Sequence, residues 1–120
     1  MYGEIDLESY TLAIVRLNTA FQKLENPSST EEVREMFEES FRDLNEIYAD
    51  IVKDLNRDEV NINEYYMFFQ NGRQAFPQYI EVLESIENAE LQESVNSLLN
   101  VFTNLNKIAE GFAKGDSNEL

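Results

Sequence analysis

Neither cysteine nor histidine occurs anywhere in the 120 residues. Without cysteine there is no disulfide framework and no thiolate metal site. With histidine missing too, the commonest general base and the usual transition-metal ligands are gone together. Di-iron centres in helical bundles use Glu-x-x-His pairs, so that chemistry is excluded. Basic residues are scarce: 9 Lys and Arg stand against 24 Asp and Glu, a formal net charge of −15. A surface of that sign repels nucleic-acid phosphates and anionic headgroups, so direct binding to nucleic acid or membrane is not expected. It suits a basic protein partner or a cation, and it serves plain solubility equally well. No apolar run approaches a membrane span and no basic-plus-apolar leader opens the chain, so the expected location is cytoplasmic. Glycine (4) and proline (2) are rare, and there is no flexible linker, low-complexity segment or internal repeat. No strand-like alternation persists.

What is present is helical periodicity. A hydrophobic content of 42% over this length fits one globular domain, residues 1–120. Leu7, Tyr10, Ile14, Leu17, Phe21 and Leu24 follow an a/d heptad rhythm and predict a first helix over 6–25, with Asp6 as its cap. Asn26-Pro27 stops it, because a residue before proline is pushed out of the α region. Ser29 and Glu32 then read as a capping box. A second helix follows to about residue 55, carrying Phe37, Phe41, Leu44, Tyr48, Ile51 and Leu55. Asn61 or Asn63 can cap a third. Its stretch 65–80 holds Tyr65, Tyr66, Phe68, Phe69, Phe76 and Tyr79, with Arg73 as the only charge, and is expected to be the most buried part of the chain. Gly72 reads as a helix end and Pro77 as a breaker, so this arm is either one kinked helix or two helices. The last helix, about 88–113, carries Leu91, Val95, Leu98, Phe102, Leu105, Ala109 and Phe112. Gly115 can close it, leaving 115–120 frayed.

Three patterns bear on chemistry. Glu31-Glu32-x-x-Glu35 resembles the EExxE element of the all-α nucleotide pyrophosphohydrolases. That resemblance implies a magnesium-dependent hydrolase, whose site needs a second acidic pair, ExxD, on the following helix. This chain has none at a suitable distance, and an acidic first turn complementing the helix dipole explains the glutamates. Asp54, Asn56 and Asp58 match the early ligand positions of an EF-hand calcium loop over 54–64, but the glycine that makes the sharp turn is missing. A polar interhelix turn is the favoured reading. Finally, Glu39, Asp43, Glu46 and Asp50 form one acidic ridge on the second helix. Like charges at these spacings oppose the helix that carries them. Arg42, Lys53 and Arg57 relieve this only in part.

These features predict an all-α, antiparallel up-down four-helix bundle with a kinked or broken third helix. The expected function is non-catalytic: binding another protein of basic surface, as an inhibitor, immunity-type protein or adaptor, without cofactor or metal. The expected contact residues are Glu39, Asp43, Glu46 and Asp50, together with Tyr65, Tyr66 and Phe69. Adjacent aromatics cannot all face one way on a helix, so some must lie at a boundary. That boundary and the charge-free stretch 94–106 also suggest a homodimer. The alternatives are the magnesium-dependent hydrolase and a structural subunit of a helical assembly.

Overall fold

Helix boundaries follow from local hydrogen-bonding chemistry. The computed structural model describes residues 5–57 and 61–118, with side chains described as far as Phe112. Asp6 caps the first helix, α1 (Leu7–Lys23), its Oδ1 accepting from the Ser9 backbone N–H at 3.0 Å. Asn26 then caps a single 3-10 turn, Pro27–Ser29, which runs directly into α2 (Thr30–Arg57). The expected capping box does not form. Ser29 is inside this turn rather than before a helix, and Glu32 reaches Lys23 instead, at 3.4 Å. Asn61 caps α3 (Ile62–Glu84) by accepting from Glu64 N–H at 3.2 Å. Asn88 caps a second 3-10 turn, Ala89–Leu91, and α4 (Gln92–Asn118) follows. Gly115 does not close α4, which continues past it to Asn118. No strand occurs among the described residues, and no helix is long and apolar enough to cross a membrane.

Of the two forms expected for this arm the structure has the single helix: α3 runs without interruption through Gly72 and Pro77, and Gly72 is not a helix end. Gly72 is buried inside it, and its missing Cβ makes room for a ring. A Cβ built there would collide with the Phe76 ring. In a helix the residue four positions on leans back over this site, so the glycine admits a phenyl group. Pro77 leaves the Arg73 carbonyl without its helical donor. Both residues are on the exposed side of the helix, where water can take that donor's place.

The four helices form a bundle whose buried residues make one hydrophobic cluster. α1 packs on α2, α2 on α4, and α4 on α3. Consecutive short connections make α1/α2 and α3/α4 antiparallel hairpins, as short loops favour. The ends of α2 and α4 lie together, since Asp54 and Phe112 both meet Tyr65 at the start of α3. So α2 and α4 are parallel neighbours, and α2 and α3 lie across the bundle's diagonal.

The core follows the heptad rhythm with one change of phase. On the last 3-10 turn and α4 the expected positions are buried, from Leu91 to Ala109. On α2 they are Val33, Phe37, Ser40, Leu44, Ile47, Ile51 and Asp54, so the seam passes through two polar residues and Phe41 is only partly buried. On α1 the fully buried residues are Ala13, Leu17 and Ala20, while Leu7, at 48% exposure, is left outside. Small side chains let α2 approach closely: Ser40 Oγ donates to the Ala13 carbonyl at 3.2 Å. No buried side-chain polar atom is left without a partner among the described residues.

Candidate functional site

The acidic ridge forms as expected in position but not in isolation. Glu39, Glu46 and Asp50 are exposed and Asp43 is partly buried. Arg16, from α1, reaches across to Asp43 at 3.0 Å and to Glu39 at 3.8 Å. The relieving cation thus comes from a neighbouring helix, which spacing along α2 alone could not reveal. Glu46 and Asp50 make no ion pair with any described residue. Together with Asp43, Asp6 and Ser9 they surround a cleft of about 50 Å³ at the α1–α2 edge. Asp6 is held below the ordinary carboxylate range, chiefly by the Ser9 backbone N–H and then by its hydroxyl. The helix cap is therefore also a fixed negative charge at this cleft.

The expected aromatic contacts divide. Tyr65 and Phe69 are fully buried and are core residues, not surface ones. Phe69 stacks on Phe112 with centroids 5.1 Å apart, and Tyr65 donates its hydroxyl to Asp54 Oδ2 at 2.9 Å. Tyr66 stays outside, at 38% exposure, beside Met67 at 65%. Alternation along the helix explains the split, since consecutive residues are about 100° apart around its axis. Burial and the adjacent Asp54 carboxylate, in that order, push the Tyr65 phenol far above its usual range.

Both metal-like patterns are used otherwise. Residues 54–57 belong to α2 and 62–64 to α3, which leaves too few residues between the helices for a twelve-residue calcium loop. Asp54 is buried and committed to Tyr65; Asp58 lies outside the described residues. At the start of α2, Glu31 pairs with Arg34 and Glu32 with Lys23, while Glu35 is exposed. No group of three or more carboxylates is arranged to hold a metal ion among the described residues.

An apolar groove between α1 and α3 was not foreseen from the sequence. Its volume is about 390 Å³, and Leu7, Tyr10, Met67, Phe68 and Gly72 line it. Among the described residues Glu64 is its only charged lining residue, and Glu64 Oε1 already accepts from the Ile5 N–H at 3.1 Å. Heptad periodicity places Leu7 in the core stripe; in the structure it forms a groove wall instead. Comparison of the chain with family models, curated proteins and solved structures finds no match.

Proposed function

We propose that this chain is a non-catalytic binding protein whose acidic α1–α2 edge engages a basic surface of another protein. The observation that supports it is the convergence of Asp6, Asp43, Glu46 and Asp50 on one cleft, with Arg16 the only cation ion-paired to any of them among the described residues. Carboxylates held on a rigid helix edge raise the rate of encounter with cations and fix the orientation of docking. The charges that Arg16 leaves free, Glu46 and Asp50, carry most of that attraction.

The test begins with affinity capture of the partner from native cells and its identification by mass spectrometry. Association rates are then measured for the chain carrying Glu39→Gln, Asp43→Asn, Glu46→Gln and Asp50→Asn. The variant keeps its helical signal, associates more slowly and has a flatter salt dependence. The Glu46/Asp50 pair alone accounts for more of the loss than Glu39/Asp43. Binding at the wild-type rate at low salt would sink the reading.

A further inference from the structure

We propose that the groove between α1 and α3 is where two copies of this chain meet, independently of the acidic edge. The molecule carries both halves of the contact. Met67 is the most exposed large apolar side chain among the described residues, at 65%, and it lines an apolar groove of about 390 Å³. In a two-fold pairing the same patch serves both partners. Met67 of each copy enters the groove of the other, between Leu7 and Tyr10 and over Phe68. A flexible thioether adapts well to such a gap. Because Met67 also lines its own groove, the two Met67 side chains meet near the symmetry axis.

Charge selects a second copy as the occupant. Each chain has a net charge of −15, so two copies repel unless they touch where charge is scarce. The groove between α1 and α3 meets that condition: among the described residues Glu64 is its only charged lining residue, and its carboxylate already holds Ile5. From the packing order α1, α2, α4, α3, this side is opposite the α2–α4 side. Pairing here therefore leaves α2, with nine of the chain's acids, outside the contact. A basic partner finds little to hold in the groove itself, and the depletion of charge is what interface centres show.

The two contacts respond to salt with opposite signs. Screening weakens attraction between the acidic edge and a basic partner, but it relieves repulsion between two anionic copies. Sedimentation equilibrium from low to high protein concentration, at low and high salt, reads this directly. The mass rises from 14.0 kDa toward twice that value with concentration, and the rise is steeper at high salt. Met67→Asp abolishes it with the helical signal and melting temperature preserved, since the residue is exposed. Met67→Cys introduces the chain's only thiol and forms a covalent dimer under mild oxidation. A mass that stays monomeric in every condition overturns the proposal. So does a dimer that survives Met67→Asp, or one that yields no disulfide from Met67→Cys, because the contact then lies elsewhere.

Discussion

The two hairpins of the bundle are closed in different ways. Between α1 and α2 small residues line much of the seam: Ala13, Ala20 and Ser40 are fully buried, with Phe21 and Phe37 as a ring pair at 5.9 Å, and Arg16 and Lys23 tie the outer edge to α2 carboxylates. Between α3 and α4 it is filled by rings. Phe69 stacks on Phe112, Tyr79 on Phe102 at 5.2 Å, and Phe76 meets Phe102 at 6.0 Å. One hairpin sets small side chains and a side-chain-to-backbone hydrogen bond beside its apolar contacts, while the other relies on stacked and tilted rings. The contrast also explains the surface: charge gathers on α2, beside the small seam, and the α3 stretch with its rings carries almost none.

Phe102→Ala breaks the ring-filled seam most severely. It empties a fully buried site between Phe76 and Tyr79, and loses roughly 3–5 kcal/mol in chemical denaturation. Ala13→Leu attacks the narrow seam from the opposite direction. There is no room for the added carbons beside Ser40, so overpacking costs about 1–3 kcal/mol. Were it neutral, the seam would not be tight. Tyr65→Phe leaves the ring packing in place but removes the hydroxyl that Asp54 accepts. The resulting loss, about 1–2 kcal/mol by the same measurement, reports the buried acceptor alone.

Alkaline melts separate the seams further. The Tyr65 and Tyr10 phenols are both raised above their unfolded values, mainly by burial. A raised pKa means that the folded state keeps protons which the unfolded chain releases. Stability is therefore unaffected by these groups below the unfolded phenol value, about 10, and falls as pH rises beyond it. Melting temperatures that stay level to the alkaline limit would contradict this burial. The smallest effect belongs to Arg16→Ala, where an edge ion pair contributes at most about 1 kcal/mol. Its larger consequence is a lower melting temperature at low salt than at high salt, as the uncovered ridge repels itself.

Legibility from sequence tracked the size of the apolar groups. On α4, where large residues occupy the seam from Val95 to Leu105, the expected positions are the buried ones. On α2 the true seam runs through Ser40 and Asp54, which an apolar pattern passes over in favour of the neighbouring Phe41. On α1 alanines take the centre, so the larger Leu7 and Tyr10 drew the stripe toward the groove. Asp6 and Asn61 were recognised as caps because a cap is a local motif. Gly72 is not legible as a local motif in the same way: its role depends on the rotamer of Phe76, one turn further along the same helix. Arg16 bridges 27 residues in sequence to reach Asp43, beyond any helical periodicity. The acidic ridge itself was visible in full; the cleft it shares with Asp6 needed the fold.

The diagonal placement of α2 and α3 has a consequence for how the chain finds its structure. Each hairpin closes over a short connection, so its seam is made of sequence-local contacts that little loop entropy opposes. The longer-range step is docking one finished hairpin on the other through α2 and α4. Asp54 and Tyr65 hold the two sides of the crossing together, only 11 residues apart. Such a topology has low contact order and belongs with the fast folders, from microseconds to milliseconds. The helical hairpins, rather than the individual helices, are then the units that open and close together in hydrogen exchange.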